Sequence, residues 1–501
     1  MEGLTILLLY CVLPLIIFML CRHGLKKGAH HDKKLPPGPP SLLFVAKFLV
    51  LGRSLFQIGP ILRGLHARHG PIISIWLVRT FVFVADRRLA HTILVKAGSN
   101  FNDRPPPTEM MGLFFPGAIT TSAYGAYWRL VRRNLHAQAL QPSRLRLLGP
   151  ARQLARDDIV GSLRGASGGV VTVRPLLGRC LFELLVFMTL GVRLGREELD
   201  ELQAMHLQIL HAVTAFPVFS IFPFITKRLL RKRWAAYVAL QERRSEVLLP
   251  LIRARACAQA QPGYSYVDSL LELRVAEEGG RALTEAEILT LCSEFMTAAV
   301  DTSVSLMEWI MAELVNHPEV QARVYEEVRE KPELSEGDHH LRGTTATGMP
   351  YLKAVVLEGL RLHPGAHLIV PHGVKSDAEI GGYVLPKGAE VNFLVADFGL
   401  DETVWPAARE FRPERFLQDS DEVDITGSKE IKMAPFGAGR RMCPGYMLAL
   451  LHAEYFVGSL VREFQWLPPT QGQDTVDMTE EVASIITMKQ PLRARIIPRT
   501  C

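Results

Sequence analysis

The chain has 501 residues, 48% of them hydrophobic, and a formal net charge of +6 from 57 basic and 51 acidic residues. That length can bury a large core, in one big domain or in about two or three ordinary ones. The basic excess is small and is not gathered into aromatic-studded patches, so no nucleic acid partner is expected. There is also no repeat period and no long low-complexity tract.

Gly3 to Cys21 is uncharged and apolar apart from Thr5, Tyr10 and two cysteines. About 19 residues at 1.5 Å rise span roughly 28 Å, close to the ~30 Å thickness of a bilayer's hydrocarbon core. Arg22, Lys26, Lys27, Lys33 and Lys34 follow it, while only Glu2 precedes it. The positive-inside rule then keeps everything C-terminal to it in the cytosol. A cleaved signal fits poorly, because a basic leading region and a small-x-small cleavage site are both missing. The seven cysteines lack framework spacing, and no Asn-x-Ser/Thr occurs. Both agree with a cytosolic face. The expected plan is a transmembrane anchor over residues 1–21, a basic and Pro-rich linker over 22–40, and one domain over 41–501. Leu35-Pro36-Pro37-Gly38-Pro39-Pro40 is the stiff part of that linker.

Ile72–Val78 and Phe81–Val84 read as a hairpin. From about residue 86 to 330 the pattern is mostly helical, including Tyr124 to Leu140, where Trp128 and Arg132 share a face. Phe216 to Phe224 is apolar and broken by prolines, with Lys227, Arg228, Arg231, Lys232 and Arg233 behind it. It reads either as a buried helix junction or as a lid that touches the membrane.

Thr284-Glu285-Ala286-Glu287 is a capping box, and the helix it opens runs without a breaker to Asn316, before His317-Pro318. Glu294 and the stretch Ala298-Ala299-Val300-Asp301-Thr302-Ser303 place polar groups in the middle of this apolar helix. Such groups are costly to bury alone. They are either a satisfied polar kink or a proton route. Pro350 suits the first position of a helix over Tyr351 to Leu362, on which Glu358 and Arg361 share a face. Short strands are expected at His367–Val374, Tyr383–Leu385 and Glu390–Val395. The whole reads as mainly α with a minor β-sheet.

Phe436-Gly437-Ala438-Gly439-Arg440-Arg441-Met442-Cys443-Pro444-Gly445 sets one cysteine in a loop of small residues, just before a helix over Tyr446 to Val461. Arg440, Arg441 and the helix N-terminus favour a thiolate there, and glycines let a bulky flat partner come close. A nucleophile would need a base and an orienting group; His363, His367 and His372 are candidates, but no protease-like sequence surrounds Cys443. Zinc would need close Cys/His pairs. No phosphate-binding or dinucleotide glycine motif is present, since Met442 stands where the third glycine would be. An isolated thiolate in such a loop suits haem.

Phe436-x-x-Gly439-x-Arg441-x-Cys443-x-Gly445 resembles the haem-ligand loop of the cytochromes P450. Trp128-x-x-x-Arg132, Ala298–Ser303, Glu358-x-x-Arg361 and Pro413-Glu414-Arg415-Phe416 resemble further motifs of that family, in its order along the chain. The anchor and Pro-rich hinge match the microsomal class, and the likeness is greatest to plant A-type members of the 89A branch. The resemblance implies haem b between the long central helix and the Cys443 loop, with Cys443 as axial thiolate ligand to the iron. Trp128, Arg132, His372 and Arg441 would hold the propionates, with Phe436 against the ring; arginine suits this because its fork pairs with carboxylates. His372 stands where many members carry arginine. Asp301 and Thr302 would order water and relay protons, and Cys443 completes the catalytic set. Glu358, Arg361 and Arg415 would form a buried network bracing the loop. Ala299 and Val300 depart from the family's usual glycine and small or hydroxyl residue, which could narrow the oxygen side.

The activity implied is monooxygenation of a lipophilic small molecule with O2, in specialised or pigment and lipid metabolism. Electrons would come from NADPH-cytochrome P450 reductase, at the endoplasmic reticulum membrane and in contact with its lipid. A lyase or isomerase working without reductase, and a non-catalytic haem protein, are the competing readings. Substrate choice would lie in Arg104–Ile119, Phe216–Phe224 and Gly365–Val370.

Overall fold

The computed structural model describes residues 34–41, 44, 58–76, 79–166, 168–215, 217–220, 223–257, 265–329, 348–418, 423–470, 472, 474–482 and 485–499. Eight helices frame the interior: α1 (Ala126–Leu135), α2 (Gly149–Gly165), α3 (Val173–Leu190), α4 (Arg196–Thr214), α5 (Arg231–Cys257), α6 (Glu285–Asn316), α7 (Pro350–Leu362) and α8 (Tyr446–Glu463). Among the described residues no helix is long and apolar enough to cross a membrane. The expected anchor lies outside them.

The central helix α6 runs 32 residues between the expected boundaries. Thr284 Oγ1 accepts from the Glu287 amide at 3.2 Å, while Glu287 Oε2 accepts from the Thr284 amide at 2.7 Å. Two of the helix's unpaired N-terminal donors are thereby satisfied. Its apolar residues sit in one large core with those of α3, α7 and α8. The crossing with α7 is close: a Cβ on Gly359 would meet Ile310 Cγ1 at 2.5 Å. Beside it the His363 ring stacks on Trp309 at 4.3 Å and pairs through Nε2 with Glu313 Oε1 at 2.7 Å.

The main sheet holds β1 (Ile72–Trp76), β2 (Thr80–Val84), β3 (His372–Gly373) and β4 (Glu390–Phe393), in the order β1-β2-β4-β3. The hairpin is antiparallel, Trp76 opposite Thr80; β2 and β4 pair in parallel, and β3 closes the edge antiparallel. The strand expected from His367 begins only at His372. Proline 371 has no N–H for a ladder, and the carbonyls of Val370 and Pro371 both accept from Arg104 Nη1 at 2.8 Å.

Candidate functional site

The Cys443 loop is closed by backbone bonds: the Cys443 amide donates to Phe436 O at 2.9 Å and the Gly437 amide to Ala434 O at 3.1 Å. Gly439 has φ 72°, and a Cβ there would lie 2.2 Å from the Leu94 carbonyl oxygen, so this position demands glycine. The Phe436 and Tyr446 rings lie 6.1 Å apart across the loop.

Cys443 itself has open surface. Even so, burial pushes its thiol pKa up, against the Gly445 amide and the Arg132 charge, which pull it down. A sulfur can be both accessible and desolvated when it faces an internal cleft rather than bulk water. The low thiol pKa expected from Arg440 and Arg441 is not found. Arg440 Nη1 donates instead to Tyr124 Oη at 2.8 Å, and Arg441 is drawn to backbone carbonyls.

Three guanidinium groups converge near the loop. Arg441 donates through Nε to Asn102 O at 2.7 Å and through Nη2 to Ser122 O at 2.8 Å. Arg132 Nη2 donates to the Met442 carbonyl. Arg104 Nε donates to Thr120 O at 2.9 Å. Trp128 lies beneath Arg441, ring centroid to Cζ 4.3 Å, with its Nε1–H given to Ile119 O at 3.1 Å. It therefore acts as a platform for the cations. Burial lowers the Arg104 pKa to about 9, with Arg441 and Arg132 as like charges adding to it and Asp103 opposing. Burial likewise lowers Arg441 to about 10. All three nevertheless keep some open surface.

His372 is not part of this positive charge. It is 3% exposed, Nδ1 bonds Phe101 O at 2.7 Å, and burial, then Arg104, push its pKa well down. The imidazole is neutral, and Arg104 supplies the cation at that corner.

On α6, positions 298 and 302 are exposed although the helix on either side is buried. They are four residues apart and share a face. Thr302 Oγ1 donates back to Ala298 O at 2.8 Å, which is the polar-kink arrangement. Asp301 Oδ2 pairs with His206 Nε2 at 2.7 Å, tying α6 to α4. Glu294 accepts the amides of Ile119 and Thr120, both at 2.7 Å. Val300 is 2% exposed, so its methyls enter the core and not the open face.

The Glu358, Arg361 and Arg415 side chains do come together. Arg361 forks onto Glu358 with two bonds of 2.7 Å, and Arg415 Nε reaches Glu358 Oε1 at 3.2 Å. Leu357 and Trp405 pack with Met433, three residues before the loop.

The chain matches the family model described as Cytochrome P450 over residues 36–495. It belongs to the cytochrome P450 family. It is 39% identical to Cytochrome P450 89A9 of Arabidopsis thaliana over 93% of this chain and 94% of that one, in keeping with the 89A branch. It is 28% identical to Oryzalexin D synthase of Oryza sativa subsp. japonica, over 99% of each chain. A solved zebra fish cytochrome P450 with abiraterone superposes with TM-score 0.71 at 20% identity, covering 88% of this chain and 100% of that one. The fold is thus that of the P450s, the enzyme class is cytochrome P450 monooxygenase, and the cofactor is haem b.

The residues present fit that group. In the cluster of arginines, Asp103 opposes Arg104 and Arg441 and Glu294 opposes Arg132, but among the described residues no carboxylate is in ion-pair contact with any of the three. The accessible Cys443 sulfur and the exposed positions 298 and 302 of α6 are the other surfaces such a group could meet. Arg104 and His206 carry no local motif. Arg104 falls in a segment expected to select substrate, and nothing in the sequence near His206 points to Asp301.

Proposed function

We propose that this P450 oxidises, typically by hydroxylation, a lipophilic small molecule, with electrons from NADPH-cytochrome P450 reductase, as a single-pass protein of the endoplasmic reticulum membrane whose catalytic domain faces the cytosol. The observation that carries the reading is the excess of guanidinium charge beside an accessible, desolvated cysteine. The chain has no nucleotide-binding glycine motif, which supports an external electron source.

Bound haem would supply oxygen activation. Cys443 Sγ would ligate the iron, with its charge balanced by the Gly445 amide and Arg132. Arg104, Arg132 and Arg441 would pair with the propionates through charge-assisted bonds, Trp128 holding Arg441 in place by stacking. Thr302 can turn its hydroxyl proton toward the open face only by releasing Ala298 O. The Asp301–His206 pair would hold a proton one residue away. Glu358, Arg361 and Arg415 would brace the loop from behind.

The segment 216–224 shares both expected characters. Phe219 is buried against Trp234 at 5.2 Å, while Phe224 is 72% exposed beside Ile225, Leu229, Arg228 and Lys227; Phe216, Ile221 and Phe222 lie outside the described residues. An exposed apolar tip amid cations suits an anionic lipid surface.

Cys443→Ala should abolish the red-shifted Soret band of the reduced, carbon monoxide-bound protein after which the family is named. An unchanged band would overturn the ligand assignment. NADPH-dependent turnover only in the presence of reductase separates a monooxygenase from a lyase or isomerase.

A further inference from the structure

Arg244, on α5, is 1% exposed, and none of Nε, Nη1 and Nη2 has a hydrogen-bond partner among the described residues. Burial alone lowers its pKa, to about 10, so the guanidinium is still charged at neutral pH. Among the described residues no carboxylate acts on it. It lies 5.5 Å from the centroid of the Phe115 ring. A ring face offsets part of a buried charge, but a cation without a counter-ion remains unfavourable.

Arg244 borders a small cleft between α4, α5 and α6. Ser293 and Thr297, four apart on one face of α6, form one side of it, and Phe115 and Leu248 give apolar walls. Ser293 is 5% exposed, and its Oγ is a second enclosed polar atom without a partner among the described residues. His206 also borders the cleft, but its Nε2 belongs to Asp301 and its Nδ1 faces Thr297 Oγ1 at 3.4 Å. Asp301 is thus held by His206 and does not act on Arg244. The free room in the cleft is about 20 Å³, the space of a water or two or of one monatomic ion.

Water satisfies the N–H groups of Arg244 but not its charge. A polyatomic anion such as phosphate exceeds the room, and its multiple charge is costly to strip of water against apolar walls. A monovalent halide meets both limits. We propose that Arg244 and Ser293 bind one chloride ion, the counter-ion that Arg244 lacks among the described residues. Two N–H groups on one edge of the guanidinium and the Ser293 hydroxyl can donate to it. The ion ties α5 to α6, whichever substrate the enzyme oxidises.

The test melts the full-length, haem-loaded protein in sodium chloride and in sodium gluconate of equal ionic strength. Gluconate is too large for the cleft. Chloride should raise the melting temperature by about 2 °C or more, and further as its concentration rises, as a ligand of the folded state does. Arg244→Met should erase the difference between the two salts, and Ser293→Ala should reduce it. Arg104→Leu should leave it in place, because that arginine belongs to the other cluster. Crystals grown with bromide in place of chloride should show an anomalous scattering peak between Arg244 and Ser293, a result that stands even where Arg244→Met fails to fold. Equal melting of the wild type in the two salts overturns the proposal and leaves water as the partner of both residues. A chloride effect that survives Arg244→Met, one that Arg104→Leu removes, or bromide absent from Arg244 overturns it too.

Discussion

Two groups of enclosed arginines differ in what neutralises them. Arg361 is fully buried with Glu358 as a forked partner, and its remaining donors reach the carbonyls of Gly399 and Ala408 at 2.6 Å. Arg415 shares that carboxylate at 3.2 Å, so both guanidinium groups have a counter-ion in direct contact. Arg104, Arg132 and Arg441 also bond backbone carbonyls, yet burial, then the like charges of Arg441 and Arg132, depress the Arg104 pKa, and Asp103 and Glu294 oppose the cluster without forming an ion pair with it among the described residues. Carbonyls satisfy donors without cancelling a positive charge. The first group therefore holds its counter-ion in direct contact and is complete as folded, whereas the second has none in contact among the described residues and would be completed by an anionic guest.

The contrast is broken most severely from the complete side. Glu358→Ala strands Arg361 and leaves Arg415 and the Arg412 amide, 2.8 Å from Glu358 Oε1, without their acceptor. The expected loss is about 3–5 kcal/mol, because an uncompensated buried charge remains. Thermal melting should show that loss with haem present or absent. A variant that loses stability only when haem is bound would place Glu358 in the cofactor site instead.

The incomplete side should behave in the opposite way. Arg104→Leu or Arg441→Leu gives up bonds to carbonyls but relieves repulsion among the remaining cations. Haem-free protein should then lose far less than it does in Glu358→Ala. Haem release, followed by transfer to an excess of a haem-accepting globin, should quicken by about tenfold to a hundredfold, since one charged hydrogen bond is worth about 1.5–3 kcal/mol. His372→Phe should barely change that rate, because the imidazole carries no charge to lose. A rate as fast as that of Arg104→Leu would restore His372 as a propionate partner.

The same contrast explains what could be read in advance. The boundaries of α6 were legible because Thr284, Glu287 and Pro318 are local signals, and α7 because Pro350 opens it. Gly439 was legible because a positive φ against the Leu94 carbonyl leaves glycine little alternative. Glu358, Arg361 and Arg415 were recognisable through family spacing, although Arg415 lies far along the chain from its partner. Arg104 and His206 were not: the Arg104 contacts to Val370 and Pro371 and the His206 contact to Asp301 arise where distant segments meet. The helix expected from Tyr124 to Leu140 starts at Ala126 after an extended Gly125 (φ −151°) and ends in a π-turn, His136–Leu140. Periodicity alone does not mark such a change of winding.

A third buried pair separates the effect of charge from that of burial. His452 on α8 is 1% exposed with both ring nitrogens unpartnered among the described residues, and burial, then the Arg152 charge from α2, lower its pKa to about 3. The folded ring refuses a proton that the unfolded chain takes up near pH ~6.5. Between those values the unfolded state binds more protons, so stability rises with pH through this window. It is fully present above about pH 6.5 and is lost as the pH falls toward 3. His452→Leu should leave urea stability at pH 7.5 nearly unchanged, since a neutral ring is replaced by an apolar group. At pH 5 it should recover about 2 kcal/mol relative to wild type, from 1.5 pH units at ~1.4 kcal/mol each. A wild-type pH profile that the substitution leaves unaltered would mean that His452 accepts its proton within the fold, beside Arg152. Burial next to a cation would then not be enough to keep an imidazole neutral here, and the neutral state assigned to His372 beside Arg104 would lose its closest parallel.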